Sequence, residues 1–195
     1  MGNKSNYIGV ENKGNPVLLA KDPIASAVSS ITFDGVFDDS FDEYWISIFN
    51  LKVADAGGIR IRWKYRNNGS DITGTYYRNQ RSISMNSDNT GQYGNASYTD
   101  YNTLTDYTTG TDATRHSHNG IMYIFPRSSN IKYSFFDGMS VADSPDGNAP
   151  FNQSLHYAHE FIGVLDDATQ MDGISFFTSA GNIASGEVCV YGVKK

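Results

Sequence analysis

The chain has a single cysteine, Cys189, in 195 residues. No internal disulfide can form, which excludes a small secreted scaffold stapled by bridges. The thiol lies in Val188-Cys189-Val190-Tyr191, a strand-like run, and reads as a small buried apolar group. Leu occurs only six times and Glu only four. With strong helix formers scarce and no sustained helical period, a helix-based fold is excluded, and with it a phosphate-cradling loop at a helix N-terminus. No run approaches the roughly 20 apolar residues that span a bilayer as a helix, so no membrane insertion is expected. Met1–Tyr7 lacks the apolar core of a signal peptide, and synthesis in a cytoplasm is the expectation. Charged residues make up 18% and the formal net charge is −6. A mildly acidic chain is a poor bulk binder of nucleic acid, and none is expected as a partner.

Aromatic and turn-forming residues fill the space left by the missing helix formers: 13 Tyr, 11 Phe and 19 Gly. They favour sheet. The clearest local signal is Ile59-Arg60-Ile61-Arg62-Trp63-Lys64-Tyr65-Arg66. Side chains on a strand alternate between faces, so Ile59, Ile61, Trp63 and Tyr65 should be buried and the cations should form a row facing water. Asn67-Asn68-Gly69 follows, suited to a tight turn with positive φ. Further strands are expected near 29–34, 43–50, 72–78, 80–85, 120–125, 131–136, 155–163, 173–178 and 187–193. Turn chemistry separates them at Ala56-Gly57-Gly58, Asp137-Gly138, Pro145-Asp146-Gly147-Asn148, Asp166-Asp167 and Ala180-Gly181-Asn182. About eight to ten short strands so spaced point to an all-β antiparallel β-sandwich, jelly-roll-like. The expected division is an extended N-terminal arm at 1–27 and one sandwich domain at 28–195. Two apolar patches in the arm, Tyr7–Val10 and Val17–Ala20, suit strands on a sheet edge or an attachment segment.

Residues 86–118 break the rhythm: polar and Tyr-rich, with Leu104 the only large aliphatic side chain. Long loops of this kind are usually functional. Tyr93, Tyr98, Tyr101 and Tyr107, set among small hydrogen-bonding residues, are the candidate contacts to a glycan or a neighbouring subunit. His116 and His118 would share a face if extended, and are weak metal candidates without further ligands; solvated loop histidines are the plainer alternative. His156 and His159 have the wrong spacing for a metal pair on a strand. Asp38-Asp39-Ser40-Phe41-Asp42-Glu43 lacks the spacing of a Ca²⁺ loop and reads as a turn balancing the cations of the basic row. No Gly-x-Ser-x-Gly turn supports a hydrolase triad. Asn68-Gly69-Ser70 and Asn95-Ala96-Ser97 match a glycosylation pattern, common by chance in such a chain. No catalytic residue and no cofactor are expected.

Three segments carry a resemblance. Tyr7–Val10 leads into Pro16–Ala20. Phe41-Asp42-Glu43-Tyr44-Trp45-Ile46-Ser47-Ile48-Phe49-Asn50 follows Phe33-Asp34-Gly35. Asp172–Phe177 precedes Gly181–Gly186 and Val190–Lys195. Together they resemble a group of bacteriophage virion proteins, especially from marine tailed phages, often labelled tail-fibre or structural proteins. The likeness covers both ends and the first third; residues 70–155 match only in strand rhythm. It implies a β-sandwich that forms oligomers, with trimers favoured, and docks to other virion proteins. It implies a non-enzymatic structural role in the virion, tail- or fibre-associated, with synthesis in the bacterial host cytoplasm. Capsid decoration is the alternative, as is host attachment through a surface glycan held by the 86–118 region.

Overall fold

The two-residue rhythm is borne out in the computed structural model, which describes residues 14–54, 59–74, 77–80, 82–85, 91–94, 98–104, 117–125, 134–145, 154–165 and 169–194. Among these residues the chain forms fifteen strands and no helix. They are β1 (Val17–Ile24), β2 (Ser30–Phe33), β3 (Glu43–Val53), β4 (Ile61–Asn67), β5 (Ser70–Asp71), β6 (Tyr77–Gln80), β7 (Ser82–Met85) and β8 (Gly91–Gly94). The rest are β9 (Tyr98–Thr99), β10 (Asn102–Thr103), β11 (His118–Phe125), β12 (Ser134–Pro145), β13 (Ser154–Leu165), β14 (Gly173–Thr178) and β15 (Ile183–Val193).

The strands make an eight-stranded sheet, ordered β1-β15-β3-β11-β12-β13-β6-β9, and a five-stranded sheet, β10-β4-β14-β2 with β5 paired to β4; β7 and β8 form a separate ribbon. Setting aside the insertions β5–β9 and β12–β13 leaves β1-β15-β3-β11 facing β2-β14-β4-β10. The chain switches sheets at each step from β1 to β4, stays in one sheet to β10, and switches again into β11, β14 and β15. This is jelly-roll topology, antiparallel throughout.

The two inner faces share one core. Val190, Ile46 and Met122 pair across β15, β3 and β11, all fully buried. Asn102, Trp63, Phe176 and Ile31 do the same across β10, β4, β14 and β2. Phe37 joins the layers, its ring 4.7 Å from Tyr44 and 6.5 Å from Tyr65. Ile59, Ile61, Trp63 and Tyr65 are all buried, as their alternation requires. Asn68 and Gly69, with φ of 47° and 75°, close the turn between β4 and β5.

Several expectations change. Of the two readings of the Val17–Ala20 patch the edge strand holds: residues 17–24 form β1, paired to β15 from Val17↔Gly192 to Ile24↔Gly186. Residues 1–13 lie outside the described residues. Asp137-Gly138 is no turn but lies within β12, paired to β11 and β13; a two-residue turn signal yields to pairing on both sides. Part of the polar 86–118 segment is strand, and Leu104 is buried in the core. The turns expected at 56–58, 146–148 and 166–167 lie outside the described residues, as does 131–133.

Candidate functional site

On β1, β15, β3 and β11 the outward face of the eight-stranded sheet carries a row of apolar side chains. Tyr191, Trp45 and Tyr123 stand opposite one another on β15, β3 and β11, and Leu18 of β1 continues the row. The three aromatics are half-buried. Trp45 meets Tyr123 edge-on with ring centres 5.8 Å apart, and its Nε1–H donates to Glu43 Oε1 at 2.6 Å. Both contacts hold the indole in one orientation. Four residues along β3, Phe49 is 65% exposed, and on the edge strand Val17 and Leu18 are about half exposed. Lys21 Nζ lies 2.6 Å from Glu187 Oε2, which raises the lysine pKa and lowers that of the glutamate. Cys189, between them, is buried, and its Sγ–H donates to Glu187 at 3.5 Å. Burial, then Glu187, push its thiol pKa up, so the thiolate is disfavoured and the side chain fits the inert role expected.

The outward face of the five-stranded sheet carries the cations. They are not the open, solvated row that alternation alone suggests. Arg66 is buried to 12% exposure between Asp34 and Asp71: its Nε donates to Asp34 Oδ1 and its Nη1 to Asp71 Oδ1, each at 2.6 Å. Asp71 is itself fixed by Ser175 Oγ–H at 2.9 Å. Lys64 sits 3.5 Å from Asp100 and 5.5 Å from the Phe177 ring centre. The Arg62 guanidinium lies 4.0 Å over the Tyr101 ring, and Tyr101 meets Phe177 edge-on at 6.5 Å. Of the four, only Arg60 is exposed. The acidic run 38–43 therefore does not balance this row; the ion-pair partners among the described residues are Asp34, Asp71 and Asp100. Asp38 instead turns inward on its own loop, accepting from Ser40 N–H at 2.8 Å and exchanging backbone hydrogen bonds with the Tyr44 hydroxyl.

The candidate tyrosines fall on different elements. Tyr93 is on β8 of the ribbon, Tyr98 on β9 at the rim of the eight-stranded sheet, and Tyr101 beside β10 of the five-stranded sheet. Tyr107 and His116 lie outside the described residues. His118 is no solvated loop residue: it is fully buried on β11, opposite Leu51. Among the described residues no three His, Cys, Asp or Glu side chains are grouped to hold a metal ion. The partners that sequence reasoning did not assemble are Leu18, Tyr123, Tyr191 and Phe177. Their strand phase, opposite to that of their buried neighbours, was the available signal.

No protein-family model, curated protein or solved structure matches the chain.

Proposed function

We propose that the protein is a non-enzymatic structural component of a bacteriophage virion, associated with the tail or its fibres. It works by assembling with copies of itself, as a trimer by preference, and by docking to other virion proteins. One observation supports this above all: the outward face of the eight-stranded sheet, where Leu18, Tyr191, Trp45, Tyr123 and Phe49 run up to β1, the edge strand among the described residues. Partly exposed apolar surface next to an edge strand is costly for a lone subunit and useful at an interface. The virion setting is supported by the sequence resemblance at Phe41–Asn50 and Asp172–Lys195.

Light scattering at micromolar concentration tests the assembly. A Leu18→Asp/Phe49→Asp double variant should keep its circular dichroism and fall to the monomer mass, because both side chains are exposed and leave the core intact. A wild-type chain that stays monomeric, or a double variant that still associates, overturns the proposal. Mass spectrometry of purified particles tests the setting, with the chain expected among the tail proteins.

A further inference from the structure

We propose that the outward face of the five-stranded sheet binds a uronate-bearing polysaccharide through Arg60 and Arg62. The site is distinct from the assembly surface, which lies on the other sheet.

On one face, strand β4 and the residue before it carry Arg60, Arg62, Lys64 and Arg66 at a pitch of roughly 6.6 Å. Their compensation is uneven. Arg66 has two carboxylates and Lys64 has one. Among the described residues no carboxylate pairs with Arg62 or Arg60. The Nε of Arg62 is enclosed without an acceptor. A chain of net charge −6 thus concentrates uncompensated positive charge on one patch. Within a mostly acidic molecule, such a patch favours an anionic partner.

The arrangement also restricts the partner's chemistry. One face of the Tyr101 ring is covered by Arg62, and a face of Phe177 by Lys64. Neutral sugars and unstacked bases bind by lying on free ring faces; here the rings serve instead to hold cations in place. A peptide adding as a strand needs a sheet edge for its main-chain hydrogen bonds, and β4 and β14 are interior strands. Recognition on this face therefore falls to side-chain heads: the guanidinium groups, with the exposed Thr32 two strands away on the same face. Carboxylated sugars offer matching groups, acids for the guanidiniums and hydroxyls for the threonine. Arg66 shows the mode within the same row, taking the Asp34 carboxylate side-on through Nε and Nη2.

Calorimetry of the wild-type protein with polygalacturonate, neutral dextran, poly-glutamate and oligo-dT tests this. Polygalacturonate should bind, more weakly as salt rises, and the other three at least about tenfold more weakly. Arg60→Gln, whose side chain is exposed, and Arg60→Gln/Arg62→Gln should each weaken binding, the double variant by about tenfold or more, with thermal melts checked in parallel. The Leu18→Asp/Phe49→Asp variant should bind like wild type per chain, which separates this site from assembly. No binding of polygalacturonate at low salt, equal binding of poly-glutamate, or no loss in Arg60→Gln overturns the proposal.

Discussion

Tyr44 shows how much one side chain can tie together. Its ring packs between Phe37 and Phe41, and its hydroxyl donates to the Asp38 carbonyl at 2.5 Å while accepting from the Asp38 N–H at 2.6 Å. Burial, the largest cause, pushes its pKa up from 10.0 to about 12. The folded state thus holds this proton more tightly than the unfolded chain. That contribution is complete below the unfolded pKa and is lost as pH rises through the folded value, between about 10 and 12. Tyr44→Phe should start less stable at pH 7, by about 1 kcal/mol for each lost hydrogen bond, but decline less between pH 10 and 12. Urea midpoints at stepped pH measure both. Parallel wild-type and variant curves would contradict this. Trp63 was legible at the same scale: its place in an unbroken alternation predicted burial, and it is fully buried. The cations of the same run were legible in direction but not in surroundings. Asp71 stands opposite Arg66 across the Asn68-Gly69 turn, but Asp34 and Asp100 come from other segments, and no local rule names them.

Strands with a clean period of two were the easiest elements to read. β3, β4, β14 and β15 all fall where alternating or β-branched runs predicted them. β1 was ambiguous because an edge strand buries little; only Ile24 among its residues is fully enclosed. The Asp137-Gly138 pair misled because turn residues are tolerated inside a strand paired on both sides. Gly173 marks the opposite case, where a small residue is obligatory. A Cβ there would lie 2.1 Å from the Phe33 carbonyl oxygen, so β2 and β14 can pair only with glycine at this point. Gly173→Ala should cost about 1–3 kcal/mol and speed amide exchange in Ser30–Phe33 while sparing the β3–β15 ladder. Hydrogen exchange resolved by strand checks it; uniform protection would count against this account.

At the scale of the molecule, all-β character followed from composition, whereas the order of strands did not. Jelly-roll pairings join distant segments, β1 with β15 and β2 with β14, and no local pattern encodes such partners. The candidate faces were invisible for the same reason: Leu18, Tyr191, Trp45 and Tyr123 come from four separate stretches. The first and last strands described lie side by side, and the Gly14 N–H donates to the Lys194 carbonyl at 2.6 Å. Tension applied between those two points would load the β1–β15 hydrogen bonds singly and in succession, from Val17↔Gly192 towards Ile24↔Gly186. Single-molecule pulling with handles at 14 and 194 should therefore peel this corner at low force, ahead of the rest of the sandwich. Anchored through these neighbouring points, the protein would yield like a zip; gripped across its breadth, it would resist as a plate in shear.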